Sequence, residues 1–277
     1  MKRSFCLVVI FLATQFLMAF LVTFVVNLPS LWRDGELNVS TLADNPSALG
    51  ISMILTSIVV VAVMTALNWT ERRGFQWRKV PLKAYWGAVI LMIPAIYMVN
   101  VLTEKLSLED VNQTLFAGLM SNFWGVLAIV LAGPFMEEIV FRMGIQRHLM
   151  RRHLFPWQAI LMSAFIFGVI HGNPAQMPGA MLLGIVLGWL YWRSDCIWLS
   201  VTAHIFNNLI GVLTFWIPGL RDRQMSDLVY GGTWGLALSV VLAFLFFTGR
   251  LPHQDGFRYC RPTCGKRQKP QTYLHPS

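Results

Sequence analysis

The sequence predicts an all-α, polytopic membrane protein of about eight transmembrane helices with both termini in the cytoplasm. Its 277 residues are 56% hydrophobic and only 13% charged, whereas a soluble domain has about 25% charged residues. Apolar runs long enough to cross a bilayer recur along the whole chain, and helices or closed barrels are the structures that can span one. We therefore expect no separate soluble domain.

Three spans are predicted in the N-terminal region, residues 1–122. Met1-Lys2-Arg3 resembles the start of a signal peptide, but the apolar stretch that follows is too long and lacks a small-x-small cleavage site, which predicts a retained anchor. A polar, a basic and an acidic loop follow the three spans in turn. The three spans are predicted at about Phe5 to Asn27, Ala48 to Trp69, and Ala84 to Leu102 with a kink at Pro94. The acidic loop is predicted at Thr103 to Asn122.

The central region, residues 123–217, is predicted to hold spans four to seven. Ser121 or Asn122 can cap the fourth span, and Pro134 inside it should bend it because proline lacks a backbone N–H. Residues 218–248 then contain the eighth span, and residues 249–277 form a flexible basic tail. Spans four to eight are predicted at Phe123 to about Arg147, Trp157 to Gly172, Met177 to Trp192, Cys196 to Trp216, and Leu228 to Thr248.

The distribution of basic residues predicts the orientation. When the eight spans alternate, 18 of the 22 Lys and Arg residues fall on the side of the two termini. The positive-inside rule places that side in the cytoplasm. Topology thus explains the net charge of +9, and no nucleic-acid partner is needed. The predicted location is a multi-pass protein of a bacterial plasma (inner) membrane, and the bilayer itself is a partner.

The four cysteines predict no disulfide framework. Cys260 and Cys264 form a C-x3-C pair in the basic tail, which is a weak zinc signal without a second ligand pair nearby. Cys6 and Cys196 lie far from this pair. We expect no metal site and no cofactor.

Two adjacent acidic residues, Glu137 and Glu138, lie inside an apolar span. An ionisable group there costs about 2.5–3.5 kcal/mol and marks a functional site by default; a structural ion pair is the alternative. Glu138 and Arg142 are i and i+4 on a helix and share a face. Glu137 points about 100° away, so the pattern leaves Glu137 to meet water or substrate as a general base.

Polar residues recur in the fifth and seventh spans. Phe167 and His171 share a helix face, and so do His204 and Asn208. An imidazole and a carboxamide can donate hydrogen bonds to a developing oxyanion, although a helix-packing pair is the alternative. Glycine pairs at G-x-x-x-G spacing, Gly168 with Gly172 and Gly184 with Gly188, would let the spans approach closely.

The three motifs together resemble a known family. Glu137-Glu138-x-x-x-Arg142, Phe167-x-x-x-His171 and His204-x-x-x-Asn208, in this order, resemble the motifs of the CPBP family of CAAX-protease and bacteriocin-processing (Abi) intramembrane proteases. The resemblance implies that Glu137 and His171 activate a water, that His204 and Asn208 stabilise the oxyanion, and that Glu138 and Arg142 support the site. It implies a glutamic endopeptidase that acts on a membrane-associated protein or peptide.

Three other functions remain open at the level of sequence. Glu137, Glu138, His171 and His204 could ligate zinc in a metalloprotease, although the H-E-x-x-H signature is absent. A non-catalytic protein, such as a bacteriocin-immunity factor or a scaffold, would use the same polar residues for packing. A proton-coupled transporter would use the buried acids, but the sequence shows no internal repeat.

Overall fold

Eight helices make up the regular structure of the described residues. The computed structural model describes residues 2–35, 44–70, 75, 80–152, 154–217, 233, 234 and 237. The helices are α1 (Lys2–Asp34), α2 (Pro46–Ala66), α3 (Leu82–Leu106), α4 (Gln113–Met120), α5 (Phe123–Arg151), α6 (Pro156–Val169), α7 (Met177–Ser194) and α8 (Ile197–Trp216). The predicted eighth span, apart from three residues, and the tail with Cys260 and Cys264 lie outside the described residues.

Five of these helices are long and apolar enough to cross a membrane: α1, α2, α3, α5 and α8. The predicted fifth and sixth spans correspond to α6 and α7. Helix α6 has 14 residues, which at 1.5 Å per residue is about 21 Å, less than the roughly 30 Å of a hydrocarbon core. The all-helical class is confirmed, with five candidate spans in the described part of the chain.

Two predicted boundaries are wrong. Helix α1 continues to Asp34 instead of ending near Asn27. Its Pro29 removes only one backbone donor, and the Ser30 hydroxyl donates to the Asn27 carbonyl at 2.9 Å. The acidic loop contains a helix, α4, whose Leu119 is buried. The acidic residues at the start of that loop obscured the apolar spacing that follows them.

Helix α5 occupies the centre of the fold and is not a uniform α-helix. Asn122 caps it as predicted, since its side chain accepts from the N–H of Gly125 at 2.9 Å. Two π-helical segments, Ala128–Ala132 and Ile139–Gln146, interrupt the α-helical hydrogen bonding. All eight residues of the second segment are buried. Segments of this kind often lie at functional sites.

Small residues bring α6 and α7 together. A Cβ on Gly168 would lie 2.3 Å from the Met181 side chain, and one on Gly184 would lie 3.0 Å from Ala164. Close packing through these glycines is confirmed. Gly172 has a different role from the one predicted: nothing lies within 4 Å of its Cβ position, and its φ of +62° permits the turn after α6.

Candidate active site

Glu138 lies at the centre of the polar cluster, and both of its carboxylate oxygens have partners. Its Oε2 accepts from Nε of Arg142 at 2.9 Å, and its Oε1 lies 3.0 Å from Nδ1 of His204. The side chains of Glu138 and Arg142 are fully buried. The predicted i, i+4 pair is therefore confirmed, and His204 joins it from α8.

Arg142 is held by contacts with α6 as well as by Glu138. Its Nη1 lies 3.5 Å from Oγ of Ser163, and the Ser163 hydroxyl donates to the carbonyl of Phe141 at 3.0 Å. The guanidinium lies 5.4 Å from the centre of the Phe167 ring, within the range of a cation–π contact. Its Nη2 has no hydrogen-bond partner among the described residues. These contacts fix the cation deep inside the helix bundle.

Glu137 differs from its neighbour in exposure and in contacts. Its side chain keeps 23% of its surface exposed, and its Oε2 lies 3.6 Å from Nε2 of His204. That separation is too long for a hydrogen bond. Glu137 is thus the more accessible of the two carboxylates, in agreement with the expectation from helix spacing.

His204 connects the two glutamates. Because a carboxylate only accepts hydrogen bonds, the contact with Glu138 places a proton on Nδ1 and directs Nε2 towards Glu137. The ring of Phe167 packs edge-on against the imidazole, with centroids 5.7 Å apart. The orientation of His204 is therefore set from two sides.

His171 follows the end of α6 instead of lying within it. Its Nδ1 lies 2.7 Å from the carbonyl of Phe167, so Nδ1 donates and Nε2 remains available as an acceptor. Its ring contacts Phe167 edge-on at 4.9 Å between centroids. His171 and His204 consequently pack against the same phenylalanine.

Asn208 binds a backbone carbonyl that Pro134 leaves without its usual donor. In the π-helical segment the N–H of Gly133 reaches the carbonyl of Ala128, five residues back. The next bond in that register would join residue 134 to Ile129, but proline has no N–H. The side chain of Asn208 donates to the Ile129 carbonyl instead, at 2.8 Å. The other amide hydrogen of Asn208 remains for a further partner.

The structure brings Glu137, Glu138, Arg142 and His204 together, with His171 one phenylalanine ring away. The sequence analysis missed Ser163, which lies four residues before Phe167 on the same face of α6. The i, i+4 spacing of Ser163 and Phe167 could have been recognised in the sequence. Among the described residues, no group of three or more His, Cys, Asp or Glu side chains is arranged to hold a metal ion.

Comparison with known proteins identifies the segment that contains this cluster. Residues 118–210 match the family model described as type II CAAX prenyl endopeptidase Rce1-like. This segment belongs to the CPBP family. The CPBP segment contains all six predicted site residues, whereas α1, α2 and α3 lie outside it.

A curated relative is similar to part of this chain. "Putative membrane peptidase YdiL" of Bacillus subtilis (strain 168) is 31% identical over 88 residues, which cover 32% of this chain and 36% of the relative. The chain thus spans little more than a third of that relative's length. No solved structure matches the chain.

Proposed function

We propose that this protein is an intramembrane endopeptidase that hydrolyses a peptide bond in a membrane-associated protein or peptide. The observation that supports this most directly is the position of His204 between a fully paired glutamate and a half-buried one, at 3.0 and 3.6 Å. The membership of residues 118–210 in a peptidase family supports the same reaction class. Glutamate-activated water is the chemistry that these residues can perform.

Glu137 is the general base in this proposal. Its carboxylate takes a proton from a water molecule, and the resulting hydroxide attacks the peptide carbonyl. Nε2 of His171 helps to hold that water. When the C–N bond breaks, the proton on Glu137 passes to the leaving amine. Glu138 cannot serve as the base as readily, because Arg142 and His204 occupy both of its oxygens.

His204 and Asn208 stabilise the oxyanion. In this proposal Nδ1–H of His204 stays on Glu138 and Nε2 faces the substrate oxygen, to which it can donate when the ring carries both protons. The free amide hydrogen of Asn208 is the second donor. Glu138 and Arg142 act as supports that orient His204, and none of these steps requires a metal or another cofactor.

The proposed topology is eight spans in a bacterial plasma membrane with cytoplasmic termini. The functional units are residues 1–122, the catalytic core 123–217, the eighth span 218–248, and the basic tail 249–277. Two contacts support spans that alternate in direction across the membrane. Arg147, near the end of α5, pairs with Asp195, just after α7, at 2.7 Å, and alternating spans place both of these helix ends on the cytoplasmic side. Asp110 contacts Asn173, and both lie on the opposite side.

Glu137→Gln tests the proposed function. We expect it to abolish cleavage without lowering the melting temperature, since Glu137 makes no hydrogen bond within the described residues. The substrate is found first by comparing peptides from membranes with and without the protein, and purified wild type and variant are then assayed on it. Turnover by the variant close to that of wild type would contradict the assignment.

The same preparation separates the rival functions. A strong chelator should leave wild-type activity unchanged if water is activated by Glu137 alone. Stoichiometric zinc, with activity lost on chelation and restored by zinc, would instead indicate a metalloprotease. A scaffold, an immunity protein or a transporter would leave no cleavage products in the peptide comparison.

A further inference from the structure

The turn that holds His171 is organised by a buried asparagine two residues further on. Asn173 has no exposed surface. Its side-chain oxygen accepts from the N–H of Ala175 at 3.3 Å, and its carbonyl accepts from the N–H groups of Gln176 and Met177 at 3.0 Å each. Asn173 therefore connects the end of α6 to the start of α7.

The remaining group of this side chain, its amide nitrogen, binds a carboxylate from a distant part of the chain. Nδ2 of Asn173 donates to Oδ1 of Asp110 at 2.7 Å, and the same oxygen accepts from the N–H of Asn112 at 3.0 Å. Asp110 is exposed and lies between α3 and α4. It is outside residues 118–210, the segment assigned to the CPBP family.

We infer that Asp110 is a positioning residue for His171. Asp110 fixes Asn173, and Asn173 fixes the turn on which the His171 backbone lies, while the Phe167 carbonyl orients the imidazole through Nδ1. The position of His171 Nε2 relative to Glu137 then depends on a carboxylate outside the catalytic segment. This inference rests on the proposed function, since it assigns His171 a part in the same reaction.

A specific test first breaks the Asp110–Asn173 hydrogen bond and then restores it with donor and acceptor exchanged. Asn173→Asp places two carboxylates face to face and should lower kcat by roughly 100-fold, the cost of displacing a reacting group by about 1 Å, with KM unchanged. Adding Asp110→Asn lets an amide at position 110 donate to the new carboxylate at position 173. The double variant should therefore recover most of the lost kcat.

Two single variants complete the set. Asp110→Ala removes the acceptor while Asn173 stays in place, so it should lower kcat even if Asn173→Asp fails to fold. Glu109→Gln is the matched control, because it neutralises the adjacent exposed acid, and it should behave as wild type. Absence of rescue in the double variant, or wild-type kcat in Asp110→Ala, would overturn the inference.

A second readout keeps this inference separate from the proposed function. Imidazole carbon resonances of ¹³C-histidine-labelled protein, with His171 assigned through His171→Gln, should shift in Asn173→Asp and return in the double variant. An inactive wild type with this shift pattern would refute the proposed function and support the positioning role. An unshifted His171 resonance in Asn173→Asp would refute the positioning role even in an active enzyme.

Discussion

At the scale of single residues, two neighbouring glutamates differ because of the partners that surround them. Glu138 is fully buried between a guanidinium and an imidazole, whereas Glu137 keeps 23% of its side-chain surface exposed. The two partners of Glu138 fit the supporting role proposed for it, and the partial exposure of Glu137 fits the proposed general base. The proposed difference in role follows from the environment, since the side chains are chemically identical.

Glu138→Gln should therefore destabilise the protein, in contrast to Glu137→Gln. A glutamine at position 138 can accept one of the two hydrogen bonds, but its amide group then faces the other donor. Breaking a buried charge pair costs about 3–5 kcal/mol, so we expect a melting temperature lower by several degrees, together with reduced cleavage. Thermal unfolding of the two variants in the same detergent is the measurement. If both unfold like wild type, the described pairing does not stabilise the fold.

The sequence predicted the polar contact that lies along one helix and not the polar contacts between helices. The spacing of Glu138 and Arg142 gives their ion pair directly, because i and i+4 residues share a helix face. Nothing in the spacing joins His204 to Glu138, since that contact depends on how α8 packs against α5. The same holds for the contact between Asp110 and Asn173. Residue types indicated the chemistry, and the tertiary fold determined which atoms meet.

At the scale of elements, the π-helical segments of α5 are the main feature that the sequence did not reveal. Pro134 was predicted to bend the helix, but its consequence here is an unoccupied acceptor at Ile129 that Asn208 fills. The short α6 also affects the depth at which His171 can lie. Its 14 residues span about 21 Å, less than a hydrocarbon core of about 30 Å, so the His171 turn can lie within the outer half of the bilayer instead of beyond its surface.

Pro134→Ala should separate activity from stability. The new N–H at position 134 can donate to Ile129 and displace Asn208, so the cleavage rate should fall by about tenfold, equivalent to about 1.4 kcal/mol. Stability should stay the same or rise, because proline inside a helix is unfavourable by up to about 3 kcal/mol relative to alanine. Kinetics and thermal unfolding of the purified variant measure both quantities.

Two further variants make the Pro134 prediction specific. Pro94→Ala changes an interior proline in α3, away from the site, and should leave the cleavage rate unchanged. In an Asn208→Ala background, Pro134→Ala should cost little additional activity, because the contact it disrupts is already absent. Full additivity of the two substitutions would show that Pro134 and Asn208 act independently.

At the scale of the whole molecule, the site lies closer to one end of the bundle than to the other. His204 lies seven residues after the start of α8 at Ile197, about 10 Å along the axis, and 12 residues before its end at Trp216. Helix α5 extends to Arg151, which puts Glu137 at its midpoint by residue count. With α5 ending at Arg151 instead of near the predicted Arg147, the residue count along α5 favours neither side, and the position of His204 along α8 is the stronger indication.

Water and substrate should therefore reach the site from the cytoplasmic side. The start of α8 follows Asp195, which pairs with Arg147 of α5 on the side that the proposed topology assigns to the cytoplasm. The measurement uses Glu137→Cys in a background in which Cys6, Cys196, Cys260 and Cys264 are replaced. A membrane-impermeant thiol reagent is applied to each side of sealed vesicles.

Arg152→Cys and Glu109→Cys report the two surfaces, since these positions lie in connections on opposite sides. Glu137→Cys should react from the side that labels Arg152→Cys. Labelling from the Glu109→Cys side instead would reverse the direction of access and make secreted segments the expected substrates.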